Sequence, residues 1–204
     1  MAAKRTGEKY YAIIEAAVKV IAENGYHNSQ VSRIAREAGV ADGTIYLYFK
    51  NKEDLLISLF RIKMGEFTAG ARHELKDLKN PFIKLARLIH LHFNRLESDR
   101  NLALVVQIQL RQSENSIRKG IAAPLKLYFN IIEEIVVEGI TSGAFRQDVN
   151  HKLARQMIFG TMDEVATSWV MSTHQYSLAS QIEPVYYLLA RALAQDGKIE
   201  PFSI

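Results

Sequence analysis

The segment 30–52, QVSRIAREAGVADGTIYLYFKNK, constrains the fold most strongly because it holds two short helical periods separated by a glycine. Apolar side chains recur at helical spacing on both sides of Gly39. Glycine reaches the left-handed conformation without steric cost, so the first helix should end there. Asp42 is expected to cap the second helix. Two short helices that cross over a glycine turn predict a helix-turn-helix, whose second helix enters the major groove of DNA.

The outward face of the second short helix favours DNA binding over the alternative of a helical hairpin in an ordinary core. Gly43 and Leu47 point away from the buried side, and Thr44 and Tyr46 flank them. A solvated helix of this length would usually carry Lys or Glu on that face. The pattern therefore predicts a surface that reads DNA.

The composition agrees with this prediction and excludes several other classes of protein. A chain of 204 residues can bury the core of one or two compact units. No cysteine is present, which excludes a disulfide framework, thiol catalysis and thiolate metal sites. No apolar run is long enough to cross a bilayer and no signal-peptide pattern is visible, so we expect a cytoplasmic protein. Residues 1–63 carry ten Lys/Arg against seven Asp/Glu, or +3 of the net +4, which fits a phosphate-facing surface.

The sequence on either side of the segment predicts further helices. A basic N-terminal arm that can lie along DNA contains Lys4, Arg5 and Lys9. The first helix should end at Gly25, and Ser29 is the better cap for the next. After the segment, Asn51 with Asp54 predicts a capping box that starts a long fourth helix. Lys52 would lie beside free main-chain donors in its first turn, which favours a phosphate contact.

The segment 102–113 is almost wholly apolar until it turns polar at its end. Leu104, Ile108 and Arg111 share one face, while Gln107 and Arg111 share another with Glu114. An apolar tunnel with a cation at its mouth would suit an amphipathic ligand with an acidic head. The alternative is a buried core helix whose Arg111 merely pairs with an acid, and spacing alone slightly favours that alternative.

Two histidines precede this segment. His90 and His92 are two residues apart and therefore point to different sides of a helix, which is the wrong spacing for a two-histidine metal pair. We interpret both as structural or pocket-lining groups and expect no metal site.

The last third of the chain predicts two long helices with wide apolar arcs. In the first, one face comprises Leu153, Met157, Gly160, Glu164, Ser168 and Met171, and another comprises Ile158, Met162, Val165 and Trp169. A neighbouring helix close to Gly160 would justify a glycine in a helix interior. Residues 197–204 are expected to fray.

Residues 16–56, AAVKVIAENGYHNSQVSRIAREAGVADGTIYLYFKNKEDLL, resemble the N-terminal domain of the TetR family of bacterial repressors. The resemblance implies an all-α homodimer: a three-helix DNA-binding domain over residues 1–50, with the N-terminal arm, and an effector-binding and dimerisation domain over residues 51–204. It also implies roles for single residues. Lys52 matches the phosphate-binding lysine, and the other candidate DNA contacts are Gln30, Arg33, Gly43, Thr44, Tyr46, Leu47 and Tyr48.

Two later segments, NLALVVQIQLRQS and LARQMIFGTMDEVATSWVM, resemble the branch of this family that regulates fatty-acid degradation in Gram-positive bacteria. That resemblance implies release from a palindromic operator when long-chain acyl-CoA binds as the effector, with no cofactor. The candidate residues for the wall of an apolar tunnel are Phe93, Leu104, Ile108, Tyr128, Phe159, Met162 and Trp169, with Gln107 as an amide beside them. The candidate cations for the CoA phosphates are Arg111 and Arg155.

Three alternative functions are open. The first is a TetR-type repressor of efflux or other catabolic genes with a different apolar effector. The second is an enzyme that acts on acyl thioesters, but no nucleophile elbow, thiol or HExxH pattern supports it, so we expect no enzyme. The third is an architectural DNA-binding protein without a ligand, and the large apolar second half argues against that.

Overall fold

A computed structural model describes residues 7–111 and 114–202. Over these ranges the chain forms α helices and short 3₁₀ helices, without a β-sheet. The helices are α1 (Glu8–Asn24), α2 (Val31–Glu37), α3 (Asp42–Tyr48), α4 (Lys52–Leu75), α5 (Pro81–Ser98), α6 (Arg100–Gln109), α7 (Asn115–Thr141), α8 (His151–Met171) and α9 (Ile182–Leu193). The predicted all-α class is confirmed. Lys4 and Arg5 of the predicted arm lie outside the described residues, and Lys9 belongs to α1 rather than to an arm.

The chain divides into two compact units. The first comprises Met1–Gly65 and Arg100–Pro124, and the second comprises Glu66–Asp99 and Leu125–Ile204. Helices α4 and α7 therefore each contribute residues to both units. The functional boundary at residue 50 that the sequence predicts differs from the bounds of these compact units, and it stays a prediction.

The core of the first unit is the set of apolar stripes that helical spacing predicts. Ile14, Ile34 and Ile45 come from three successive helices and are fully buried together. The ring of Tyr10 stacks on that of Phe49, with 5.0 Å between centroids. Tyr26 is buried in the same cluster. This core fixes α3 against α1 and α2 and so determines which face of α3 is left outside.

The glycine turns and the start of α4 also follow the prediction. Gly25 and Gly39 both adopt positive φ, 73° and 66°; Gly25 directly follows α1, and Gly39 follows the C-cap of α2, Ala38. At α4, the side-chain oxygen of Asn51 accepts a hydrogen bond from the Asp54 amide at 2.8 Å. The Asp54 carboxylate accepts from the amide of Lys50 at 3.0 Å, so the return bond of the capping box falls one residue earlier than usual.

Two predicted caps are wrong. Asp42 is the first residue of α3 rather than its cap, and the capping position is occupied by Ala41 without a side-chain bond. Ser29 does not cap α2, because its buried hydroxyl donates instead to the carbonyl oxygens of Val20 and Gly25. The N-cap of α2 is Gln30, which makes no side-chain capping bond.

In the second unit, α5, α8 and α9 pack around one apolar core. Asn80 and Asn150 cap α5 and α8 through their side-chain oxygens. The carboxylate of Glu97, near the end of α5, accepts from the amides of Leu178 and Ala179 at 3.0 and 3.2 Å. That carboxylate holds the start of the 3₁₀ helix Leu178–Gln181, which leads into α9.

The expectation of a frayed tail is wrong over its described part. The hydroxyl of Tyr186 donates to the carbonyl oxygen of Glu200 at 2.7 Å. The amide of Phe202 donates to the hydroxyl of Tyr187, and the Phe202 ring lies 5.5 Å from that of Tyr186. Residues up to 202 therefore pack on α9 through aromatic and hydrogen-bond contacts.

Candidate functional sites

The outward face of α3 is apolar and exposed, as the sequence predicts. Tyr46 and Leu47 are 58% and 67% exposed. Neither side chain belongs to the core of the unit, so core packing does not explain why these residues are apolar. Gly43 is exposed beside them, while Thr44 and Tyr48 are half-buried at the edges of the face. Exposed aromatic and aliphatic groups on a short second helix are suited to van der Waals contact with base edges and sugars.

The predicted cation of this surface is held in a fixed position. The ammonium of Lys52 donates to the main-chain carbonyl oxygen of His27 at 2.9 Å and lies 4.6 Å from the centroid of the Tyr26 ring. Partial burial lowers the pKa of Lys52 below its usual value, with Glu114 acting in the opposite direction. The ammonium is thus fixed at the start of α4, next to the helix N-terminus where phosphate binds readily.

A cleft of about 420 Å³ gathers several of the predicted DNA-contacting residues. Gln30, Tyr46 and Lys52 all line it, together with His27 and Ser32. Arg33 lies on the exposed side of α2, where its guanidinium donates to the side-chain oxygen of Asn24. The fold therefore brings residues from α2, α3 and α4 to one concave surface of the first unit.

A cluster of aromatic rings lies inside the second unit. The ring of His92 stacks on that of Tyr128 at 10° between planes, and the Tyr128 hydroxyl is 3.0 Å from Nδ1 of His92. Phe67 packs edge-on against both rings. Phe159 packs edge-on against Tyr128 and against Phe129.

Burial keeps the two polar members of this cluster neutral. Desolvation lowers the pKa of His92 to about 4. Desolvation also raises the pKa of Tyr128, and the nearby carboxylate of Asp163 adds to that effect. At neutral pH the interior therefore presents an uncharged imidazole and an uncharged phenol among aromatic rings.

The sequence predicted only part of this cluster. Tyr128 and Phe159 were candidate ligand residues, and the fold brings them together. His92 was expected to be structural or pocket-lining without a partner being named, and Phe67 and Phe129 were missed as members. No sequence signal could have joined them, since the cluster draws on α4, α5, α7 and α8.

The other predicted ligand residues of the second unit have different surroundings. Phe93, Met162 and Trp169 are buried in the core, and the indole nitrogen of Trp169 donates to the carbonyl oxygen of Tyr176 at 2.9 Å. Arg155 donates to the Glu133 carboxylate at 3.3 Å and lies over the Phe129 ring. Its assignment as a contact to CoA stays a prediction.

The remaining four predicted ligand residues belong to the first unit. Gln107 is buried in α6, Leu104 is half-buried, and Ile108 and Arg111 are exposed. The guanidinium of Arg111 donates to the main-chain carbonyl oxygen of Gln107 at 2.5 Å. Their role in binding a ligand also stays a prediction.

Two other kinds of feature are absent from the described ranges. No helix there is long and apolar enough to span a membrane. Among the same residues, no three His, Asp or Glu side chains gather as they would around a metal ion.

Comparison with known protein families decides the class of the chain. Residues 13–59 match the model for bacterial regulatory proteins of the tetR family, and residues 60–192 match the model for the C-terminal region of YsiA-like proteins. The chain belongs to the TetR family. It is therefore a regulator of transcription rather than an enzyme, and both predictions are confirmed.

Within the TetR family, several relatives are similar over both units. The fatty acid metabolism regulator protein of Bacillus subtilis (strain 168) is 52% identical over 190 residues, which is 93% of this chain and 98% of the relative. FadR from Bacillus subtilis, solved in complex with stearoyl-CoA, is 54% identical with a TM-score of 0.86, covering 89% of this chain and 97% of that one. The fatty acid degradation regulator FadR from Bacillus halodurans is 51% identical with a TM-score of 0.85 over the same shares.

Proposed function

We propose that this chain is a dimeric repressor that binds a palindromic operator of fatty-acid degradation genes and is released by long-chain acyl-CoA. The observation that carries the proposal is the 54% identity, over 89% of this chain, with a regulator whose structure contains stearoyl-CoA. Because the similarity extends through both units, it supports a shared effector as well as a shared DNA-binding mode. As a regulator bound to bacterial DNA, the protein works in the cytoplasm and needs no cofactor.

The DNA-binding part of the proposal uses the outward face of α3. Thr44, Tyr46 and Leu47 enter the major groove, with Gly43 allowing close approach and Tyr48 at the edge. Gln30, Arg33 and Lys52 contact the phosphate backbone on either side. Two such surfaces in a dimer would lie about one DNA turn apart, roughly 34 Å, which matches a palindromic site.

The dimer part of the proposal uses α8 and α9. Leu153 on α8 and Leu188 on α9 are 64% and 63% exposed in a single protomer. Met157 and Met171 lie exposed on the same face of α8 as Leu153. Apolar side chains presented together on two helices are stabilised when a second copy covers them.

The effector part of the proposal uses the aromatic interior of the second unit for the acyl chain. Tyr128 and Phe159 are the predicted ligand residues that already lie in that interior. The predicted cation of this unit, Arg155, would meet a phosphate of CoA. Arg155 would then exchange Glu133 for phosphate as its partner.

The proposed mechanism is a shift in population between two geometries of the dimer. Acyl-CoA can act only through a higher affinity for the geometry that does not fit the operator. A hundredfold loss of operator affinity needs about 2.7 kcal/mol of coupling, which is within the usual range for allosteric proteins. Helix α4 begins with Lys52 and further along contains Phe67, one of the rings of the aromatic cluster proposed to hold the acyl chain.

The proposal is tested by fluorescence anisotropy of a labelled operator duplex, with the protein bound at fixed salt. Palmitoyl-CoA should release the duplex, while free CoA and palmitate at the same concentration should not. Full retention of the duplex with saturating palmitoyl-CoA and stearoyl-CoA would reject the effector and leave only a TetR-family DNA-binding protein.

A further inference from the structure

The imidazole of His92 is bonded on one side only. Nδ1 lies 3.0 Å from the hydroxyl of Tyr128. Nε2 is covered by protein and has no hydrogen-bond partner among the residues that the structure describes. Buried polar nitrogens nearly always have a partner in native proteins, so this one requires an explanation.

The bond to Tyr128 determines which ring nitrogen of His92 carries the proton. A phenol hydroxyl is a good donor and a neutral imidazole nitrogen is a good acceptor, so the Tyr128 hydroxyl donates to Nδ1. A neutral imidazole carries one proton, which must then be on Nε2. The interior of the second unit therefore holds a fixed, uncharged N–H donor without an acceptor.

The surroundings of this donor are mainly aromatic, with the carboxylate of Asp163 near Tyr128. The rings of Phe67 and Tyr128 pack on His92, and Phe159 packs on Tyr128 in turn. Phe67 also lines a cleft of about 380 Å³ on the second unit, together with Leu91 and Arg95. A single aromatic ring therefore connects the His92–Tyr128 pair with the surface of this unit.

We propose that Nε2–H of His92 donates a hydrogen bond to the thioester carbonyl oxygen of the bound acyl-CoA, with Tyr128 as the positioning residue. The inference rests on the proposed function and adds the group that recognises the thioester. An acyl chain has no acceptor of its own, and the thioester carbonyl is the acceptor nearest to it. An uncharged donor suits that neutral carbonyl.

The same arrangement discriminates against free fatty acid. A carboxylate at this position would bring a negative charge into an aromatic interior where His92 and Tyr128 are both neutral. Burying a charge without a counter-charge is strongly unfavourable, whereas burying a neutral carbonyl with a donor is not. The pair thus selects the thioester over the acid by chemistry rather than by chain length.

The test compares two ligands that differ only at the carbon bonded to sulfur. Stearoyl-CoA and S-octadecyl-CoA have the same chain length and the same CoA head, but the thioether lacks the carbonyl oxygen. We expect the wild-type protein to bind the thioether about tenfold more weakly, as measured by isothermal titration calorimetry, since one hydrogen bond is lost and a buried donor is left unpaired.

Variants of His92 and Tyr128 test whether these two residues cause the difference in affinity between the thioester and the thioether. In His92→Phe the two ligands should bind with equal affinity, and in Tyr128→Phe the difference should shrink to about threefold because the imidazole is no longer held in one tautomer. The matched control is His174→Phe, an exposed histidine of the same unit, which should keep the tenfold difference. Circular dichroism on each variant checks its folding, and the wild-type comparison decides the question even if His92→Phe does not fold.

The outcomes separate this inference from the function on which it rests. Equal affinity of the wild-type protein for stearoyl-CoA and its thioether would overturn the role of His92 and leave acyl-CoA as the effector. Failure of both ligands to bind the wild-type protein would reject the effector itself. A tenfold difference that persists in His92→Phe would place the carbonyl against another residue.

Discussion

The ammonium of Lys52 donates a hydrogen bond to the main-chain carbonyl oxygen of His27, 2.9 Å away. This bond ties the first turn of α4 to the turn that precedes α2. Because the Tyr26 ring also lies under the ammonium, the cation is held in place before DNA arrives. A phosphate contact made by a fixed cation loses less side-chain entropy than one made by a mobile lysine.

Replacement of this lysine should weaken DNA binding in a salt-dependent way. For Lys52→Met we expect lower operator affinity and a slope of log K against log salt that is smaller by about one per subunit, because one phosphate contact is lost. Anisotropy titrations at several salt concentrations measure both. Lys126→Met, on an exposed lysine of α7 in the second unit, is the charge-matched control and should leave the slope unchanged. A slope that is equal in Lys52→Met and wild type would remove Lys52 from the DNA interface.

The exposed ring of Tyr46 should matter for DNA and not for folding. We expect Tyr46→Ala to bind the operator about five- to 150-fold more weakly, since base and sugar contacts of this kind contribute about 1–3 kcal/mol. The free energy of unfolding should change by no more than about 0.5 kcal/mol, because the side chain lies outside the core. Anisotropy and chemical denaturation provide the two measurements. Unchanged affinity would show that α3 contacts the operator through another face.

The carboxylate of Glu97 should stabilise the second unit. It accepts two main-chain hydrogen bonds at the start of the 3₁₀ helix Leu178–Gln181. Glu97→Ala leaves both amides without that partner and should lower the free energy of unfolding by about 1–3 kcal/mol, with a smaller loss in Glu97→Gln, which keeps one acceptor. Denaturant titration measures this, with Glu74→Ala, an exposed glutamate of α4, as the control. An equal effect of Glu97→Ala and Glu74→Ala would contradict this account.

Burial of His92 should make the fold sensitive to acid. The unfolded chain protonates this imidazole near pH 6.5, while the folded protein does so only near pH 4. The unfolded state thus binds more protons within that window, so the free energy of unfolding rises with pH there and falls on acidification, by up to about 3 kcal/mol in all. The difference between wild type and His92→Gln, measured from pH 7 to pH 4, isolates this contribution. Parallel pH profiles for the two proteins would show that His92 is not buried in the neutral form.

Two glycines should respond in opposite ways to alanine. A Cβ on Gly120 would meet Ile57 Cδ1 at 2.4 Å, and Gly120→Ala should destabilise the first unit by about 1–3 kcal/mol. A Cβ on Gly160 would meet nothing within 4 Å in one protomer, so Gly160→Ala should stabilise α8 by up to about 1 kcal/mol.

The close neighbour expected at Gly160 is thus absent from the described residues of a single protomer. Gly160 lies on the face of α8 proposed for the dimer, where the added methyl would hold two helices apart. Sedimentation equilibrium should therefore show weaker dimerisation of Gly160→Ala despite the more stable helix. A dimer as tight as wild type would place the interface elsewhere.

Helical periods and glycine turns predicted most of the fold, because they act within a few residues. Gly25 and Gly39 follow the ends of helices where the sequence indicated. The prediction that Ser29 caps α2 was wrong because a serine hydroxyl can either accept from a main-chain amide that follows it or donate to carbonyl oxygens that precede it. That choice depends on how α1 and α2 meet, which no local pattern contains.

The site was predictable only where a motif encodes it. The predicted DNA-contacting surface lies within one continuous segment, so the resemblance could predict its residues one by one. The pair of His92 and Tyr128 joins residues 36 positions apart on two helices, and its meaning depends on which nitrogen remains without a partner. In the same way, only the fold shows that Arg155 is paired with Glu133.

The measurement that tests the central claim most directly is the affinity of the protein for stearoyl-CoA with and without saturating operator DNA. If acyl-CoA releases the operator through a shared population shift, the operator must weaken acyl-CoA binding by the same factor by which acyl-CoA weakens operator binding. We predict equal factors, on the order of a hundredfold. Stearoyl-CoA that binds equally well with and without operator would contradict the account, because the two sites would then be uncoupled.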